Sequence, residues 1–307
     1  MWLTKKYYYV TVWEWMILIL ALTVLIVYVY GQLTAPNLEK YISKNRDGVK
    51  WVSVQDALKI PENGAVVLLS GDTHGERTCR WCTGTMFSHV GVLFWEKHPV
   101  TGEDILYIFD CDLGQGTKEG VRVMPLRDKL HRYKGMRVGA IKNLIVHPSK
   151  KRPTREDFVS LFPKYTPIEF DNKIATWWFA NWNSIYNLVK NPGQMFCSEL
   201  VASVYQDLGI LQKDRVPAWY HPGDFHRARL NFEEGYSLGE TLFFEFPKET
   251  TRQVVESSAP VETGMADIFQ GDFSVLPGME WLAEDSPDPS QTPGNSKGNN
   301  SSETADE

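Results

Sequence analysis

From Val10 to Tyr30 the chain reads VTVWEWMILILALTVLIVYVY, an apolar run of the ~20 residues that a helix needs to cross a hydrocarbon layer. A fold that contains it must either wrap it completely or leave it in lipid. Trp13, Trp15, Tyr28 and Tyr30 stand near its ends, where amphipathic rings favour the headgroup level. Its single charge, Glu14, lies close to the amino end and within reach of that level. A cleaved signal peptide has a shorter apolar core, ~7–15 residues, followed by small residues at the cut. Leu33-Thr34-Ala35 before Pro36 fits that pattern poorly. The run therefore reads as an uncleaved signal anchor occupying 1–36, with a single span over about 10–30. Lys5 and Lys6 precede it and Lys40, Lys44, Arg46 and Lys50 follow, an imbalance that favours a cytosolic body and makes the lipid bilayer the first partner. The sequons at Asn299 and Asn300 lie at the far end of the chain and do not bear on this orientation.

Residues 37–250 are long enough for one well-packed domain. Leu38 to Asp47 reads as a polar connector, and WVSVQDALK (Trp51 to Lys59) has helical spacing of its apolar positions. Five β-favouring runs follow, separated by turn residues: Ala65 to Ser70, His89 to Trp95, Ile105 to Asp112, Gly120 to Leu126 and Met136 to Ile141. Their close spacing predicts an antiparallel sheet curling towards a small barrel. Helical patterns then take over. TREDFVSLF opens at Thr154 as an N-cap, and NKIATWWFANWNSIYNLV carries Ile174, Trp178, Trp182 and Ile185 along one face. In CSELVASVYQDLG, Leu200, Val201, Val204, Tyr205 and Leu208 recur at helical spacing before Gly209. TLFFEF (Thr241 to Phe246) supplies a last strand for the sheet. The fold class is thus α+β behind an N-terminal transmembrane helix. From 251 to 307 the composition turns to Ser, Pro, Gly, Asn and acidic residues, and the segment reads as a low-complexity, largely disordered tail.

The balance of charge excludes one class of partner. With 32 basic against 38 acidic residues, the chain lacks the basic excess that tracking a phosphate backbone requires, so no nucleic acid is expected. Four cysteines are too few for a disulfide scaffold and must be weighed singly. Cys197 stands at the start of a predicted helix, after Pro192-Gly193 and Gln194-Met195-Phe196. Unpaired amides and the positive end of the helix dipole stabilise a thiolate there, and the same amides can hold an oxyanion. A small buried thiol at a helix end is the alternative. His89 interrupts the apolar run MFSHVGVLFW, flanked by Ser88 and by Gly91, which leaves room beside the ring. A thiol at a helix start and an imidazole on an adjoining sheet are the minimal pair for thiolate catalysis. Asp110 ends the strand after that of His89, so a hairpin would bring it alongside to hold the ring in one tautomer; Asp112 points to the same face and is the fallback. Cys79-Arg-Trp-Cys82 has metal or redox spacing, and His74 and Cys111 could extend it, but no second CxxC or HxxxH is present. No metal or cofactor is expected, and a local disulfide or two packed thiols is the simpler reading. Trp177, Trp178, Phe179 and Trp182 form an aromatic cluster that reads as core or as an apolar groove for an acyl chain.

The ordered blocks GAVVLLSGDTHGERTCRWCTGTMFSHVGVLFW, ILYIFDCDLGQGTKEGVRVMPLRDKL, PIEFDN, MFCSELVASVYQDLGIL and HPGDF together resemble the circularly permuted papain-like cysteine hydrolases of the NlpC superfamily. The likeness is to the YiiX/YaeF-type amidases and their poxviral relatives, with lecithin:retinol acyltransferase-like enzymes as more distant cousins, and it covers about Ser53 to Phe246. The resemblance implies a permuted papain-like fold in which barrel strands come first and the nucleophile helix last. It implies a triad with the SHVG histidine at His89, the CSEL cysteine at Cys197 and the strand-end carboxylate at Asp110, where relatives often carry the longer Glu. Glu169-Phe170-Asp171 and Pro222-Gly223-Asp224 fall on family segments read as structural. The function expected is a membrane-anchored thiol hydrolase acting on an amide or ester of a peptide or lipid acyl substrate. An acyltransferase with the same Cys-His pair and a silent membrane-tethered binding module are the alternatives.

Overall fold

The computed structural model describes residues 2–45, 49–98, 101–112, 120–132, 136–171, 193–227 and 229–246. The aromatic run at 172–192 and the tail at 251–307 lie outside the described residues. Helix α1 (Trp2–Thr34) contains the apolar run, and from Val12 to Thr34 it is long and apolar enough to cross a membrane. A signal sequence near the N-terminus would pass that test equally. Its most apolar 18-residue window is not buried inside the protein, whereas Gly31 near its end is.

Three residues after α1, helix α2 (Leu38–Asn45) buries Leu38 and Ile42, so the stretch read as a polar connector is an amphipathic helix docked on the body. The next predicted helix is shorter than its apolar spacing implies. Strand β1 (Lys50–Trp51) takes its first residues, and Ser53 then caps α3 (Val54–Ala57), its hydroxyl accepting from the Asp56 amide at 3.0 Å. Strand β2 (Val66–Gly71) leads to α4 (His74–Thr83), then come β3 (His89–Lys97), β4 (Asp104–Asp112) and β5 (Gly120–Pro125). Helix α5 (Leu126–Arg132) follows directly, then β6 (Met136–Lys142) and β7 (Leu144–Val146). Short helices α6 (Arg155–Val159, with Thr154 as N-cap) and α7 (Phe162–Tyr165) precede β8 (Glu169–Phe170) and β9 (Gln194–Met195). The chain continues through α8 (Cys197–Asp207), a single 3₁₀ turn (Pro217–Trp219), α9 (Pro222–Arg227), β10 (Tyr236–Leu238) and β11 (Leu242–Glu245).

Seven strands form one sheet in the order β1-β11-β6-β2-β3-β4-β5. All its pairs are antiparallel except β1 with β11. Its edge strands do not pair with each other among the described residues, so the sheet is open where a small barrel was expected. The edge strand β1 is only two residues long, and Ser53 caps α3 directly after it. The sheet strands read from the sequence are present, and β11 adds to β6 with Phe243 opposite Ala140.

Both faces are covered, which is why the central strands are buried throughout. On one side Val67, Leu69, Leu93, Ile108 and Ile141 pack with Leu126 and Leu130 of α5 and with Phe244. On the other, Phe94 lies 5.3 Å from Phe158 of α6, and Phe109 5.0 Å from Phe162 of α7, ring centre to ring centre. Helix α8 packs against β3 and β4. Its far end is held by Tyr205, whose hydroxyl donates to the Gly64 carbonyl at 2.5 Å, and it stops at Gly209 in the left-handed conformation (φ +66°).

Candidate active site

Cys197 is the first residue of α8, and Phe196 before it is extended. The first N–H groups of a helix have no intrahelical acceptor, so the thiol sits among outward-facing amides at the positive end of the dipole. His89 begins β3, paired with Leu69 of β2. Both residues are buried, with 6% and 4% of their surface exposed.

The imidazole joins two partners. His89 Nε2 lies 2.8 Å from Asp110 Oδ2, and the Cys197 side chain is close enough to the ring to raise its pKa. With Nε2 given to the carboxylate, Nδ1 is the nitrogen left for the thiol. The three residues read from the sequence are thus brought together by β3, β4 and the start of α8. Gly91 makes the crossing possible: a Cβ there would lie 3.2 Å from the Asp110 Cβ and 2.6 Å from Ile108 Cδ1. A side chain at that position would fill the space through which Asp110 approaches the ring.

Asp112, the fallback carboxylate, has a different occupation. Its Oδ2 accepts from the Arg122 guanidinium at 2.8 Å and from the Lys129 ammonium. Lys129 is the residue that sequence reasoning missed. It comes from α5, is buried, and its Nζ lies 2.6 Å from Asp110 Oδ2 as well, so one ammonium clamps both carboxylates at the end of β4. A signal was present: in LRDKLHR, Lys129 falls beside Leu126 and Leu130 on the apolar face of a helix, where a lysine needs a buried acid. Arg122 Nε stands 3.8 Å from the other oxygen of Asp110.

The electrostatics follow from these contacts. Burial alone would raise the Asp110 carboxyl, but Lys129, the His89 bond and charge, and Arg122 hold it well below the usual carboxylate range. For His89, burial and the Lys129 charge press the pKa down. The charge of Cys197 and the bonds to Asp110 and Cys197 overcome them, and the ring is pushed up to about 9. An imidazolium beside the Asp110 carboxylate is thereby favoured at neutral pH. The remaining thiols are different. Burial, then the neighbouring charge of Cys197, raises Cys79 and Cys111 well above the ordinary range, and burial pushes Cys82 up to about 11. Cys79 and Cys82 are both free, so the local disulfide is not formed. Cys111 Sγ donates to the Met195 carbonyl at 3.3 Å. Among the described residues no group of three His, Cys, Asp or Glu side chains converges as metal ligands would.

Two segments flagged by sequence lie beside this centre. The Asp171 amide donates to Met195 at 2.9 Å, and Phe170 pairs with Met195 in register, so Glu169-Phe170-Asp171 braces the strand leading into Cys197. In Pro222-Gly223-Asp224, the Asp224 carboxylate accepts from the His221 amide at 2.9 Å and lies 3.4 Å from Arg215. Its partners are those of a helix start.

No family model matches the chain, and neither does any curated protein sequence. Among solved structures, metalloprotein yiiX from Escherichia coli O157:H7 is similar at 16% identity and a TM-score of 0.33, over 62% of this chain and 98% of that one. A likeness of that extent leaves the reading to the residues themselves.

Proposed function

We propose that the chain is a membrane-anchored cysteine hydrolase of the permuted papain-like kind, with Cys197 as nucleophile, His89 as base and Asp110 as the group that orients it. The observation that carries the reading is the buried His89–Asp110 hydrogen bond of 2.8 Å on an imidazole whose other partner is a cysteine at a helix start. Cys197 Sγ attacks the carbonyl carbon of an amide or ester while its proton rests on His89. The developing oxyanion is met by the first-turn amides of α8. The C–N or C–O bond then breaks, the leaving group takes the proton from His89, and an acyl thioester remains on Cys197. Water, activated by the same imidazole, releases the acid and restores the thiol. An amine or alcohol in place of that water would give acyl transfer, and product analysis with both acceptors separates the two outcomes.

The test is alkylation of the full chain in detergent by iodoacetamide near neutral pH, read by peptide mass spectrometry. The expected result is rapid labelling of Cys197 that is lost in His89→Ala, with Cys79, Cys82 and Cys111 unlabelled on the same timescale. Equal labelling of Cys197 in both proteins would overturn the reading.

A further inference from the structure

A tether needs only a span and a slack linker, yet the span here is locked onto the body. Only Ala35 to Asn37 separate α1 from α2, and α2 is itself docked through Leu38 and Ile42, with Tyr41 6.2 Å from Phe243, ring centre to ring centre. The last turns of α1 lie directly against α4. A Cβ at Gly31 would come within 2.6 Å of the Trp81 ring, so the indole rests on the backbone of the anchor. One residue on, Gln32 Nε2 donates to Thr78 Oγ1 at 2.7 Å.

The opposite side of α4 holds the corner from which His89 emerges. Thr78 and Trp81 lie on one face of that helix, and Glu76, Cys79 and Arg80 on the other. Cys79 Sγ donates to the Ser88 carbonyl at 3.6 Å, and Ser88 Oγ donates to Glu76 at 3.4 Å. The Arg80 guanidinium, buried, donates to Ser70 Oγ at 3.2 Å and to the Gly71 carbonyl at the end of β2. The neighbouring Ser88 amide donates to Leu69 of the same strand at 3.1 Å. The path from lipid to base is therefore short: Gly31 and Gln32, one helix about 10 Å thick, Ser88, His89. Its links are a packed ring, side-chain hydrogen bonds, the α4 backbone and the Ser88–His89 peptide bond, the kind of contiguous contact through which position is transmitted.

We infer that the end of the membrane anchor is a positioning element of the active site, with Gly31, Gln32, Trp81 and Thr78 setting the pose of α4, and α4 setting that of the Ser88–His89 corner. The inference rests on the Cys197–His89 reading for its catalytic meaning. None of the four residues touches the reacting atoms; they act through α4. The site is held at the aqueous end of the span, and its reactivity depends on how that end is seated.

The experiment uses the full chain in lipid nanodiscs and three variants. Gly31→Leu keeps the helix apolar but drives a side chain into the Trp81 ring. Thr78→Val removes the acceptor for Gln32 at nearly constant shape, and Thr78→Ser restores it. Two readouts are taken: the pH profile of Cys197 alkylation by iodoacetamide, and hydrogen exchange of the Ser88 and His89 amides. The expected result is a fall of about tenfold or more in the alkylation rate at neutral pH. A shifted midpoint should accompany it in Gly31→Leu and Thr78→Val, with faster exchange at Ser88 and His89, unchanged exchange in β4, and a wild-type profile in Thr78→Ser. Unchanged exchange overturns the inference, as does an unchanged profile in a protein whose Cys197 reacts. A wild type whose Cys197 shows no His89-dependent reactivity sinks the hydrolase reading instead. Exchange at Ser88 and His89 then decides alone whether the anchor positions that corner.

Discussion

Gly91 shows how much of the site rests on one missing methyl group. Gly91→Ala would place a Cβ 2.6 Å from Ile108 Cδ1 and 3.2 Å from the Asp110 Cβ, so the carboxylate must retreat from the ring. The expected outcome is a loss of about 1–3 kcal/mol of stability from overpacking and a fall of about tenfold or more in Cys197 alkylation. A urea titration and the alkylation rate near neutral pH check the two parts. Lys129 is equally exposed to test. Lys129→Met leaves Asp110 buried without its ammonium, which should cost about 3–5 kcal/mol, and it removes a charge that lowers the His89 pKa. The His89 titration should move above about 9 in that variant, as read by imidazole NMR. The same pKa shifts set the pH dependence of stability. His89 is raised from 6.5 to about 9, so its contribution is complete below the unfolded value of 6.5 and is lost as the pH rises through 9. Asp110 is lowered from 3.8, so its contribution is present above that value and is lost on acidification below it. Urea stability should therefore decline by about 2–3 kcal/mol between neutral pH and pH 9, and His89→Gln should flatten that decline.

At the scale of elements, the helix that opens at Cys197 is anchored at both ends. Cys197 opens it beside His89, and Tyr205 closes it against the Gly64 carbonyl just ahead of β2. Tyr205→Phe removes that hydrogen bond inside the core, and the expected loss is about 1–2 kcal/mol in a denaturant titration with little change in Cys197 reactivity. The strands around it could be read from sequence because Val67, Leu69, Leu93 and Ile108 lie in short apolar runs bounded by turn residues. The helix at Cys197 could be read because its apolar positions recur at helical spacing up to Gly209. Helix α4 could not be found the same way, since HGERTCRWCT buries polar atoms, Arg80 and Thr78, instead of an apolar stripe. Its legible trace was the capping box, Thr73 with Glu76, whose carboxylate accepts from the Thr73 amide at 3.0 Å. Helix α2 was hidden for the opposite reason. Two apolar contacts, Leu38 and Ile42, dock it, too few to mark an amphipathic face in so polar a stretch.

At the scale of the whole molecule, a helix fit to cross a membrane is fused without slack to an open sheet whose central strands present a histidine to a cysteine from late in the chain. That Cys197, His89 and Asp110 come together was legible because the helix start, the interrupted strand and the strand after it were each marked in the sequence. Which carboxylates Lys129 meets, and the seating of Gly31 on Trp81, depend on how distant segments come together, which spacing along the chain does not encode. Direct communication between Cys197 and His89 underlies the proposed chemistry. The most direct measurement is an NMR titration of the His89 imidazole in the intact protein and in Cys197→Ala. Loss of the cysteine's charge and hydrogen bond leaves burial and Lys129 pulling the pKa down, so the midpoint should fall from about 9 by a unit or more. An identical midpoint in the two proteins would contradict the account.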